Sequence, residues 1–188
     1  MDPASPKEVL NRYRITHFDD YVRDDMRVNR LFGLKTLIDK YLNEDTIMCE
    51  IGSFEGASSE LFALTCKTVY CVDVIFQPEF DLVQQRRDNI VRISKWSKDA
   101  AKTYKDRFFD FVYIDGSHIY KDVKDDINSW KNKVKLNGYL GGHDYLDSTS
   151  ESWTGVIKAV NEVFDKDEIK VFEDSSWIVK IKNEENNS

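Results

Sequence analysis

Cysteine, proline and glycine are scarce in this chain of 188 residues, at 3, 3 and 8. The cysteines, Cys49, Cys66 and Cys71, are odd in number, sit inside apolar runs and lack C-x-x-C spacing. That excludes a disulfide framework and a zinc site and reads as reduced core thiols. No run approaches the roughly 18 uninterrupted apolar residues of a membrane span, and the opening stretch from Met1 to Leu10 has no apolar core of a secretory signal. A cytoplasmic protein is expected. Basic residues are in deficit, 27 Lys and Arg against 34 Asp and Glu, for a net charge of -7. Such a surface repels phosphate backbones and anionic membranes, so the expected partner is a small molecule rather than nucleic acid or membrane. What the chain has in quantity is apolar material, 41% hydrophobic and 13% aromatic, enough for the core of one domain.

From Thr46 onward, β-rich apolar runs alternate with helical patterns, the signature of an α/β protein with a mostly parallel sheet and helices on both faces. Seven runs read as strands: 46–51, 68–74, 90–96, 108–114, 138–142, 169–172 and 177–181. Helical spacing falls at about 57–66, 79–88, 100–105, 120–134 and 154–164. No crossover helix fits between the last two strands, and Asp174, Ser175 and Ser176 mark a tight turn, so the last strand should be antiparallel. Residues 1–44 are expected to form a helical extension packed on the core, with Gly33 as its weak spot and His17 as a structural residue. Residues 45–181 form the main domain, and the tail 182–188, which has no apolar residue, should fray.

The stretch from Glu50 to Ser59 leaves the first strand, turns through two glycines and opens a helix. This is the edge at which open α/β sheets bind ligands. Gly52 and Gly56 let the backbone bend and approach a ligand; Ser53 lies between them, and Ser58 or Ser59 can present a hydroxyl at the helix start. A dinucleotide fingerprint counted from Gly52 requires glycine at position 54, where this chain has Phe54. That side chain obstructs a pyrophosphate. NAD and FAD are disfavoured, whereas a nucleoside ligand lacking pyrophosphate is not. Asp73 ends the second strand, where a carboxylate can accept both hydroxyls of a ribose.

Glu50, Gly52, Gly56 and Asp73 together resemble the motif of class I S-adenosylmethionine-dependent methyltransferases, an acid, G-x-x-x-G and a second acid ending the next strand. The resemblance implies a Rossmann-like seven-stranded fold and S-adenosylmethionine as cofactor. It places the loop carrying Gly52, Ser53, Gly56 and Ser58 against the methionine part and Asp73 on the ribose. Ser97 falls where the family contacts adenine, and Asp115 joins the cofactor contacts.

The fourth strand delivers Asp115-Gly-Ser-His118 to the same edge and the fifth delivers His143-Asp144-Tyr145. Aspartate and histidine on adjacent strand ends supply either oxygen ligands for a divalent cation or a carboxylate-oriented general base. Ile114, Asp115, Gly116, His118, Tyr120, Leu136, Gly138, His143, Asp144 and Tyr145 resemble a small methyltransferase-domain family similar to the catechol and macrolide-sugar O-methyltransferases. That resemblance spans about residues 45–181 and implies methylation of a hydroxyl on a sugar, a polysaccharide precursor or another small metabolite. In catechol-type enzymes the residues matching Asp115 and Asp144, with an asparagine where this chain has Tyr145, hold magnesium, and a basic residue at the position of His118 takes the substrate proton. Tyrosine is a poor magnesium ligand, so His143 becomes the third ligand for Mg or a softer divalent cation. His143 is also the rival base, although strand alternation points it away from the side of Asp144. The loop 147–153 offers Trp153 as a stacking wall over substrate. Rival readings are another enzyme class on this scaffold and a non-catalytic nucleoside-binding module; monomer and homodimer are both left open.

Overall fold

The computed structural model describes residues 31–146 and 151–182, the side chains of 151–153 excepted. The expectations for residues 1–30, for the loop 147–150, for the Trp153 side chain and for the tail from 183 onward lie outside the described residues. In chain order the elements are α1 (Phe32–Tyr41), β1 (Ile47–Ile51), α2 (Ala57–Ala63), β2 (Thr68–Asp73), α3 (Pro78–Arg86), β3 (Ile90–Ser94), α4 (Ser97–Ala101) and β4 (Phe109–Ile114). They continue with α5 (Tyr120–Trp130), β5 (Val134–Gly142), α6 (Glu151–Asn161), β6 (Lys170–Val171) and β7 (Trp177–Lys180).

The strands form one sheet in the order β3-β2-β1-β4-β5-β7-β6. Strands β1 to β5 pair in parallel, and β7 runs antiparallel to both β5 and β6, so β7 alone is reversed, as the short connection before it requires. The turn feeding β7 is tight: Phe172 and Ser176 are hydrogen-bonded across it and Ser175 has φ 67°. The fold is that of an α/β Rossmann-like domain.

Alternation along the strands divides the core between two faces. Met48, Phe111 and Tyr113 pack with Leu34, Leu37 and Ile38 of α1, Leu61 and Phe62 of α2, and Phe80 and Val83 of α3. Cys49, Ile51, Val112 and Ile114 point the other way, onto Ala100 of α4, Val123, Ile127 and Trp130 of α5, and Val156 and Ala159 of α6. The three cysteines are buried and free, and burial raises each thiol above its ordinary value. They are core thiols, as their apolar surroundings in the sequence required.

Most elements lie within a few residues of the sequence reading, and two of the shifted boundaries bear on the packing. Strand β5 starts at Val134, because a register shift against β4 between Phe109 and Phe111 carries the strand past Gly138. Helix α4 starts at Ser97 instead of Ala100, since the Ser97 hydroxyl donates to Asp126 Oδ1 at 2.5 Å and accepts from Trp130 Nε1 at 2.8 Å, which ties the first turn to α5. Gly33 is no weak spot: it lies in the first turn of α1, where Leu34 N–H donates to Asp174 Oδ2 at 2.6 Å. That carboxylate satisfies a donor that helix starts leave unpaired. Among the described residues no helix is long and apolar enough to cross a membrane.

Candidate active site

The strand order reverses between β1 and β4, and in an open α/β sheet the crevice beyond the carboxyl ends of such a pair is where ligands sit. The ladder holds the two loops together there: Asp115 N–H donates to Ile51 O at 2.8 Å, and Gly52 N–H to Val72 O at 2.8 Å. Gly52 has φ +87°, and a Cβ on it would stand 2.2 Å from the Asp115 carbonyl oxygen. Only glycine serves both demands. Gly52→Ala is expected to cost ~2–4 kcal/mol from left-handed strain plus displaced backbone. Thermal denaturation checks this, and a variant as stable as the parent would show that the two loops part freely.

Glu50 is fully buried on the β1 floor of this crevice, and its Oε2 accepts the Ser59 hydroxyl. Burial raises its pKa above the ordinary carboxylate value, against the pull of the Ser58 and Ser59 hydroxyls. Its Oε1 and the Ser53 hydroxyl are buried with no hydrogen-bond partner among the described residues. Native interiors rarely leave polar atoms so, and a bound ligand is one way to satisfy them. Across the loop, Asp73 Oδ2 accepts Phe54 N–H at 2.8 Å and Oδ1 accepts Ile75 N–H at 3.1 Å. A carboxylate has about four acceptor sites, so two remain for a ribose. Phe54 takes φ +46° and stands 55% exposed over the loop. The Ser97 hydroxyl, by contrast, is committed to Asp126 and Trp130.

The β4 and β5 ends bring their polar side chains together. His118 Nε2 lies 2.6 Å from Asp144 Oδ2, and His143 Nδ1 lies 3.1 Å from Asp144 Oδ1, so one carboxylate is held between two imidazoles. The expectation that His143 turns away fails, because β5 ends at Gly142 and Asp144 adopts φ 58°, which breaks the alternation just beyond the strand. His143 is the more enclosed of the two histidines, its side chain 18% exposed against 38% for His118. The Asp144 hydrogen bond raises the His118 pKa above its ordinary value, outweighing burial. Burial alone would lower that of His143, but the Asp144 bond and the charges of Asp115, Asp144 and Asp174 bring it to about 9. Burial works to raise the Asp144 carboxyl, yet its two histidine partners hold it far below the usual range. Asp115, withdrawn from water and near Asp144 and Glu50, is pushed up to about 7 against the pull of His143.

A model of the family described as "Methyltransferase domain" matches residues 49–145, from the core of β1 through the Asp144 loop. The chain belongs to that family. This methyltransferase domain shares its fold with solved structures of class I S-adenosylmethionine-dependent enzymes. A candidate caffeoyl-CoA O-methyltransferase from Staphylococcus aureus is 15% identical and superposes with a TM-score of 0.63, over 95% of this chain and 93% of that one. A candidate methyltransferase from Streptococcus mutans, solved in complex with SAH, is 13% identical with a TM-score of 0.60, over 81% and 98%. An uncharacterised protein of Acanthamoeba polyphaga mimivirus is 28% identical, over 76% of this chain and 72% of its own.

Of the three residues expected to hold a cation, Asp115 and Asp144 have ligand atoms within 4.8 Å of one another; His143 is outside this group, and His118, expected as the base, completes it. Tyr145, at the position of the missing asparagine, donates its hydroxyl to Asn161 Oδ1 at 2.7 Å. Two ligands of one small divalent ion at about 2.1 Å stand about 3 Å apart or more. The 2.6 Å His118–Asp144 separation is that of a hydrogen-bonded pair. Of the two serines expected at the helix start, Ser59 bonds Glu50. The sequence reading passed over Gly155, which lets α6 lie against the His118 backbone, a close approach visible only once the helices are packed.

Proposed function

We propose that this methyltransferase binds S-adenosylmethionine and transfers its methyl group to an oxygen acceptor, a hydroxyl on a sugar or other small metabolite. The observation that carries the acceptor half is the His118–Asp144 pair at the β4 and β5 ends, directly beside the Gly52 loop. The donor half is supported by the unsatisfied Glu50 and Ser53 atoms and by Asp73. Glu50 and Ser53 would take the polar methionine end, and Asp73 the ribose hydroxyls. The donor supplies an electrophilic methyl carbon on a sulfonium, and the protein has to align the acceptor oxygen with it and remove one proton.

His118 is the residue placed to take that proton. It is the more exposed of the two histidines, and Asp144 fixes its ring through Nε2. Asp144, itself kept ionised by both imidazoles, stabilises the imidazolium that forms as the proton arrives. His143 anchors Asp144 from the opposite side and stays enclosed. Asp115 sits at the β1–β4 junction beside Gly52, its carboxylate grouped with His118 and Asp144.

The test has two arms. Calorimetry with SAH should give a dissociation constant in the micromolar range, roughly -7 to -9 kcal/mol. Transfer of a labelled methyl group to a panel of sugars, nucleotide sugars and catechols then identifies the acceptor class. Heat with NADH and none with SAH would overturn the donor assignment; label recovered only in RNA or protein would overturn the small-molecule acceptor. A further prediction follows from the pairing of His118 with Asp144: exhaustive chelation should leave the turnover within about twofold, because the base needs no metal to be oriented. Loss on chelation that Mg or Mn restores would assign Asp115, His118 and Asp144 to a cation instead.

A further inference from the structure

Helix α6 touches both loops that carry the His118–Asp144 pair. At its start, Gly155 is buried against the β4 loop: a Cβ there would meet His118 O at 2.2 Å and Tyr120 N at 2.6 Å. Both are backbone atoms, so neither can swing aside. One turn on, Lys158 Nζ lies 4.4 Å from the centroid of the Tyr120 ring, and Glu162, just past the helix, accepts the Tyr120 hydroxyl at 2.6 Å and pairs with Lys124. Toward its end, Asn161 Oδ1 accepts the hydroxyl of Tyr145, the residue after Asp144, at 2.7 Å. The helix therefore grips the residue that follows Asp144 and the backbone of His118 itself.

We infer that α6 is a clamp that sets the His118–Asp144 distance, with Gly155 and Asn161 as positioning residues for the base. This rests on the methyl-transfer reading above only for its consequence in turnover; the clamping of one side chain on another is a property of the fold. The geometry is specific. Gly155 fixes how close the helix comes to the β4 loop, and Asn161 fixes where the β5 loop sits along the helix. A displacement of about an ångström between a base and its orienting carboxylate costs on the order of tenfold to a hundredfold in rate. A helix that only filled the core would tolerate that displacement without any effect on the imidazole.

The experiment uses the full chain and reads the two steps separately. Long-range proton–nitrogen spectra report whether His118 Nε2 is engaged by a carboxylate, and calorimetry with SAH reports the donor site. Gly155→Ala is expected to move the His118 signals to those of an exchanging, solvent-exposed imidazole and to lower the maximal rate at least tenfold, with the SAH dissociation constant within about twofold. Tyr145→Phe removes a single hydroxyl and should shift the same signals should Gly155→Ala fail to fold. Asn161→Leu should reproduce the shift, whereas Asn161→Asp, which keeps an acceptor oxygen for Tyr145, should retain the parental spectrum. Unchanged His118 signals in folded Gly155→Ala or in Tyr145→Phe would overturn the clamp. Absence of SAH binding by the parent protein would instead overturn the donor reading, with the spectral result still deciding the clamp.

Discussion

His118→Ala should lower the maximal rate of methyl transfer by about 10²- to 10⁴-fold while leaving SAH affinity within about twofold. Proton removal at the acceptor oxygen would be lost, while Glu50, Ser53 and Asp73, the groups proposed for the donor, lie in or just after β1 and β2. The pH dependence carries the more discriminating signature. Because the Asp144 hydrogen bond raises the His118 pKa above 6.5, the neutral imidazole that accepts a proton accumulates only above that raised value. The rate should therefore climb with pH through a midpoint above the ordinary imidazole value. Asp144→Asn removes the largest cause of the rise and should move the midpoint down. Stability runs the other way. A raised folded pKa contributes stability that is complete below the unfolded value of about 6.5 and is lost as pH climbs through the folded one. The proposed base should work best where its ion pair stabilises least. Near-normal turnover in His118→Ala, together with its loss in His143→Ala, would make His143 the base.

Asp73→Ala is expected to weaken SAH and S-adenosylmethionine alike, by at least about a hundredfold. Two hydroxyl contacts to a charged acceptor, each worth about 1.5–3 kcal/mol, are removed, and each 1.4 kcal/mol is tenfold in affinity. The structure adds a second reason. Asp73 also holds the N–H groups of Phe54 and Ile75, so its loss frees the loops after β1 and β2. Asp73→Asn keeps one carbonyl acceptor and should fall between parent and alanine variant. The equal effect on both ligands is essential, since the two carry the same ribose hydroxyls and differ only in the methyl group on sulfur. A dissociation constant that Asp73→Ala leaves unchanged, measured by calorimetry, would remove the ribose assignment.

The sequence by itself determined the α/β class, the seven strands, the reversed last strand and the edge of the sheet that holds the chemistry. These are legible because they are local: period-two apolar runs, a glycine pair after a strand, and a connection too short for a helix. It also named Glu50, Gly52, Asp73, Asp115, His118 and Asp144, since a residue at the carboxyl end of a strand in this topology faces the crevice. Which of these touch was decided only by the tertiary structure. The left-handed turn at Asp144 put that carboxylate between His118 and His143 instead of leaving His143 turned away from it, and no spacing rule foresees a non-glycine residue at positive φ. The same holds for Ser97, committed to Asp126 and Trp130 some thirty positions away, and for Gly155, whose missing side chain matters only because α6 packs onto the backbone of His118. Periodicity reports which face of an element is apolar. Distances between elements are set by the packing of all of them at once, and that is where the protonation state and orientation of the two histidines are fixed.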